Sequence, residues 1–228
     1  MKIKPPLLLY FVACLFYMVS VCVGNGEMML LSKPVIIPSM LFYYIQETKQ
    51  RINWNYIVII FLCFIGDMLT LLDIEGAHLV IISVFLIAYC FYLKSITDDL
   101  LLNQLKITYK KNFLVLLICF FFLIYLLITI LDLLVESQAE NLLLLLFYGI
   151  VLVLIGGVSS FNYILKQTRF TFFMLIATLC FVISDVFYIL RAHFEEVEVF
   201  SLFNNLPQVL SYYYLTKYYI LKPAPMKR

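Results

Sequence analysis

Ile59–Asp73 reads IIFLCFIGDMLTLLD. It is apolar almost throughout, yet Asp67 sits inside it beside Gly66, and Asp73 closes it six residues later. The apolar run begins earlier, near residue 54, and ends near residue 72. That length is more than a buried core helix needs and matches the roughly 20 residues that span a bilayer. A membrane-crossing helix with a carboxylate within it is therefore the reading that organises the rest of the chain.

The surrounding sequence agrees. Of 228 residues, 64% are hydrophobic and 13% charged, whereas soluble domains are nearer half apolar. Apolar runs separated by charged or turn residues predict eight spans, at roughly 6–23, 28–45, 54–72, 78–96, 113–131, 141–165, 170–190 and 200–221. The expected fold is all-α: a single polytopic membrane domain, residues 1–228, with eight transmembrane helices. Lys2 and Lys4 before the first run resemble a signal peptide, but no small-x-small cleavage site follows, so the run is read as a helix.

Charge tests this layout. With the N-terminus inside, the inner segments and inner helix ends hold fourteen of the sixteen Lys and Arg, all but Lys33 and Arg191. The outer connections carry Glu27, Asp73, Glu75, Glu136, Glu140, Glu195, Glu196 and Glu198, with Asp132 at their edge. The asymmetry follows the positive-inside rule and predicts both termini in the cytoplasm. It also favours an even span count. A net charge of +2 with no large basic cluster excludes nucleic acid as a partner. Six cysteines all lie in apolar runs without a CxxC pair or a nearby His at metal spacing, so neither a metal nor another cofactor is expected.

Lys33, Asp67 and Asp185 are the ionisable residues within spans rather than at their inner ends. An Asp at a helix centre costs about 2.5–3.5 kcal/mol on insertion scales, so such residues face a bundle interior, a partner or a water-filled cavity. At 1.5 Å per residue, Asp67 lies roughly 20 Å and Asp185 roughly 22 Å above the inner ends of spans 3 and 7. Lys33, about five residues below the outer end of span 2, comes to nearly the same height. All three fall in the outer third of a hydrocarbon core about 30 Å thick.

Two readings of this shared depth stay open. One is a charge network that locks spans 2, 3 and 7. The other is a site, because two carboxylates against one ammonium leave one carboxylate free of an ion pair. Asn204, Asn205 and Gln208 open span 8, where Pro207 releases a backbone carbonyl. Ser184 precedes Asp185, and Tyr188 follows it by three residues on the same face. The segment TLCFVISDVFYIL around Asp185 resembles FLCFIGDMLTLL around Asp67, apolar–small–Asp–apolar in both. Gly156, Gly157, Ser159 and Ser160 on span 6 read as small-residue helix packing.

Five motifs then carry a resemblance: SKPVIIPSM on span 2, FIGDMLTLLD on span 3, FLIAYCFYL on span 4, FVISDVFYI on span 7 and YYYLTKYYI on span 8. In their order and spacing the chain resembles the YhhN-like (lysoplasmalogenase) integral membrane family along essentially its whole length. The resemblance implies eight helices and, as for some members, hydrolysis of the vinyl ether bond of lysoplasmalogens to a fatty aldehyde and a glycerophospho-base. It selects Lys33 and Pro34, Gly66 and Asp67, Ser184 and Asp185, and Tyr213 and Tyr214. The chain departs from the family where Tyr89 replaces a usual His in span 4, and where Lys217 replaces a usual Gln or His in span 8.

Vinyl ether hydrolysis needs a proton donor for the β-carbon, an anion near the developing cation and a positioned water. Asp67 and Asp185 are the candidate catalytic pair, in either order. Lys33, Ser184, Tyr89, Tyr213 and Tyr214 are the candidate supporting or substrate-binding residues. The expected partners are the bilayer and a lysophospholipid-type substrate, and the expected location is a multi-pass position in the cell membrane if the source is prokaryotic. The rival expectation is a lipid-binding or transport protein that uses the same polar cavity without catalysis.

Overall fold

A computed structural model describes residues 4–49, 52–74, 76–102, 113–135, 142–193 and 198–222. These residues form eight α-helices: α1 (Pro5–Val23), α2 (Gly26–Thr48), α3 (Trp54–Leu72), α4 (His78–Leu102), α5 (Phe113–Val135), α6 (Leu142–Leu165), α7 (Arg169–His193) and α8 (Glu198–Leu221). The predicted spans match them within a few residues, except at the end of α4. By length and composition, α1–α4, α6 and α7 are six helices able to cross a membrane. Within α5, Phe120–Ile130 is a shorter apolar stretch. The chain is thus a polytopic all-α membrane protein.

Local chemistry sets the helix ends. Prolines at the first two positions start α1, where their missing N–H groups leave no bond unmade. Gly24 ends α1 in the left-handed region at φ 70°, which a side chain would resist. Asn25 then caps α2 by accepting from the Met28 N–H at 3.1 Å. Asn53 caps α3 in the same way, accepting from Asn55 N–H at 3.0 Å.

Polar contacts tie five helix ends together. Lys4 pairs with Glu47 at 3.1 Å, joining the start of α1 to the end of α2. Asn55 of α3 donates to Ser95 of α4 at 3.4 Å. Lys222, just past α8, pairs with Asp99 of α4 at 2.8 Å, and Tyr218 donates to the same carboxylate. We call this the basic end of the bundle and the opposite one the acidic end. The Asp99 contacts also explain the one large boundary difference. Helix α4 continues to Leu102, six residues past the expected 96, because Lys222, just past α8, neutralises a carboxylate that otherwise belongs in a loop.

Helix α8 is the hub. It packs extensively on α7 and also touches α2, α1 and α3. One face of it is packed on protein, and there it tolerates the buried Asn204 and Asn205 and the half-buried Gln208 and Pro207, while Phe203 and Leu206 face outward. Helices α3 with α4, α4 with α6 and α6 with α7 complete the core, and α5 lies outside against α6. The core is rich in tyrosine: Tyr10, Tyr44, Tyr56, Tyr89, Tyr92, Tyr212 and Tyr218 are among its largest fully buried side chains. Lipid removes most of the hydrophobic drive for helix association, so packing and interhelical hydrogen bonds carry it. Tyr56 with Thr216 at 2.8 Å, and Tyr92 to the Met174 carbonyl at 3.1 Å, are examples.

Candidate functional site

Gly66 brings α3 against α4. A Cβ there would stand 2.7 Å from the Phe85 ring, so a side chain would force Phe85 aside. The next residue, Asp67, is 2% exposed and is met from two other helices. Lys33 of α2 places Nζ 3.7 Å from Oδ1. Gln208 Nε2 donates to Oδ1 at 2.7 Å and Tyr212 OH to Oδ2 at 2.8 Å. Gln208 and Tyr212 stand four residues apart and so share one face of α8. Lys33, itself 4% exposed, also lies over the Tyr17 ring at 5.4 Å. Tyr17 in turn donates to Asn205 Oδ1 at 2.6 Å.

Asp185 is held differently. Its Oδ2 accepts from Tyr89 of α4 at 2.8 Å and from Tyr148 of α6 at 2.9 Å. No Lys or Arg among the described residues forms an ion pair with it. Ser184 beside it donates to Asn204 Oδ1 at 3.0 Å and pins α7 to α8. The two carboxylates share no hydrogen-bond partner: Asp67 belongs to α2, α3 and α8, Asp185 to α4, α6 and α7.

A cavity of about 800 Å³ opens beside them. Its rim includes Asp73, His78 and Arg191 at the acidic end, and its inner wall includes Lys33, Ser184, Asp185, Asn204 and Gln208. Tyr188, one turn above Asp185, meets His78 Nδ1 at 3.1 Å near the rim. Asp67 is not on the cavity wall. It stands behind Lys33 and Gln208, which are. Among the described residues, no group of three or more His, Cys, Asp or Glu side chains is placed to hold a metal.

Of the residues named from sequence, Lys33 and Asp67 are in contact, and Asp185, Ser184 and Tyr89 meet on or behind the far wall of the same cavity. Tyr213 and Tyr214 do not line it. Tyr213 stacks on Tyr10 with centroids 6.3 Å apart, and Tyr214 on Phe173 at 6.1 Å. Tyr212 faces Asp67 instead, since one residue along a helix turns the side chain by about 100°. Sequence reasoning also missed Tyr148 and Tyr17. Gln208 carried a usable signal as a polar residue within a span; Tyr212, between Ser211 and Tyr213, and Tyr148, inside LLLLLFYGI, carried none.

Neither curated proteins nor solved structures include a match to the chain. The family comparison does give one. Every charged and tyrosine side chain that holds the two carboxylates lies within residues 28–224, the stretch matched by the model of the YhhN family, and the chain belongs to that family.

Proposed function

We propose that the protein is a lysoplasmalogenase-like membrane hydrolase, cleaving the vinyl ether bond of a single-chain ether phospholipid. The observation that carries this reading is Asp185. It is a carboxylate on the wall of a deep cavity, one oxygen engaged by two phenols, the other accepting no hydrogen bond from the described residues. That suits a proton donor: Tyr89 and Tyr148 orient Oδ2 and leave Oδ1 to carry the proton.

Oδ1 gives its proton to the β-carbon of the vinyl ether, and the ether oxygen and α-carbon share the resulting positive charge. The Asp185 carboxylate so formed lies beside that cation, its own charge held by two phenol donors. Water adds to the α-carbon and returns a proton to Asp185. The hemiacetal then collapses to a fatty aldehyde and the free glycerophospho-base, one water being consumed. Tyr89 stands where the family usually has a His, and its donation to Asp185 suits the same task.

Asp67 has a separate role in this scheme. It fixes Lys33 on the cavity wall, where the ammonium meets the substrate phosphate as a point charge. Arg191 at the rim adds a second cation.

The test is aldehyde release by the purified protein in detergent, with lysoplasmalogen as substrate and the matching ester lysophospholipid as control. Asp185→Asn is expected to reduce turnover by at least about 100-fold, the usual range for losing a general acid. Asp67→Asn, which frees Lys33, is expected to raise KM more than it lowers kcat. Full activity of Asp185→Asn sinks the mechanism. Saturable lipid binding by the wild type with no aldehyde formed would favour the lipid-binding or transport reading instead.

A further inference from the structure

A second cavity meets the first at Asp185. It is a narrow groove of about 40 Å³ between α5, α6 and α7, with almost wholly apolar walls. Tyr148 and Asp185, together with Leu145 and Ile189, line both spaces. The same carboxylate therefore faces a polar chamber on one side and a hydrocarbon-like slot on the other.

The groove follows α6 from Leu145 to Val153, about 12 Å at 1.5 Å per residue. Gly149 shapes it. A Cβ at Gly149 would collide with Leu127 of α5, so glycine is what allows the outer helix to close over the slot without filling it. The helices that form it turn large apolar side chains outward on either side, Phe147 and Leu154 on α6 and Ile183 on α7. The slot itself is partly open, and it lies among these outward-facing apolar side chains in the half of the bundle nearer the acidic end.

We propose that this groove is the tail site of the substrate. One hydrocarbon chain slides in laterally between α5, α6 and α7, from the leaflet at the acidic end, while the headgroup occupies the polar cavity beside Lys33. In a single-chain alkenyl lipid the vinyl ether is the junction between glycerol and tail. Threading the molecule through the two spaces puts that junction at Asp185 and Tyr148, where they meet. A groove this small takes the first methylenes of one chain and leaves no room for a second, which selects lysolipids over two-chain lipids. This inference rests on the proposed hydrolysis for the bond that is cut, but not for where the tail lies.

The experiment is photo-crosslinking of the full chain in lipid nanodiscs. The probe is an ester-linked lysophosphatidylcholine with a diazirine near the glycerol end of its tail. Adducts are expected on α5, α6 and α7 and are expected to fall when unlabelled lysoplasmalogen is added. Val182→Trp, which fills the groove, is expected to raise KM for a hexadec-1-enyl substrate by about tenfold and that for a but-1-enyl substrate by less than about twofold. Leu127→Trp, from the opposite wall, is expected to act the same way. Adducts confined to α1, α2 or α3 overturn the tail site, as does wild-type labelling that lysoplasmalogen leaves unchanged. Groove adducts without aldehyde release keep the tail site and sink the hydrolysis. Aldehyde release with adducts elsewhere does the reverse.

Discussion

Asp67 and Asp185 look alike in sequence and are treated very differently by the fold. Asp67 has a cation and two neutral donors and is sealed from the cavity; Asp185 has two phenols, no cation among the described residues and a face on open space. Removing one member of a buried ion pair strands the other, at about 3–5 kcal/mol. Lys33→Met is therefore expected to lower the thermal unfolding midpoint in detergent strongly. Adding Asp67→Asn to it is expected to recover more than half of that loss, since the amide needs no counter-charge. A double variant as unstable as Lys33→Met alone would mean that Lys33 stabilises through Tyr17 rather than through Asp67. The charges were legible in the sequence because a charge in hydrocarbon is expensive and so stands out. The tyrosines were not. A phenol is apolar enough to sit anywhere in a membrane helix, and only the partner across the interface tells Tyr212 from Tyr213.

At the scale of elements, α5 and α6 show how small residues set an interface. A Cβ on Gly156 would lie 2.6 Å from Leu123, whereas one on Gly157 would make ordinary contact with Phe120 at 3.4 Å. Gly156→Leu is expected to cost about 1–3 kcal/mol by overpacking. Gly157→Ala is expected to be neutral or slightly stabilising, because alanine favours a helix over glycine. Thermal unfolding of the two variants side by side checks the contrast, and equal effects would show that α5 does not pack as described. The pairing of small residues was visible as GGVSS; which glycine meets α5 too closely for a side chain was not, because that depends on the rotation of both helices. The extension of α4 was hidden for a related reason. Asp98 and Asp99 look like a loop until Lys222 and Tyr218 arrive from the other end of the chain.

For the whole molecule, the ties at the basic end place the start of α1 beside the ends of α2, α4 and α8. Residues 4 and 222, the first and last of the described ones, therefore lie on one side, and the positive-inside rule predicts that side to be cytoplasmic. In a cysteine-free background, single cysteines at positions 2 and 227 are expected to resist a membrane-impermeant maleimide in intact cells, and one at position 27 to react. Labelling of 2 and 27 together would break the eight-helix topology. The same expected orientation would open the cavity, rimmed by Asp73, His78 and Arg191, to the outside of the membrane.

The amino-acid sequence by itself determined the membrane setting, the approximate lengths of the helices other than α4 and the identity of the charged residues. Each of these follows from transfer energies and from repeats within one segment. Only the tertiary structure decided which carboxylate Lys33 neutralises, which tyrosines hold Asp185, and that a polar chamber and an apolar slot meet at that residue. Those facts depend on the rotation of α3, α6, α7 and α8 about their axes. The short segment IIFLCFIGDMLTLLD carries a costly Asp67 but holds no record of Gln208 and Tyr212, 141 and 145 residues further on.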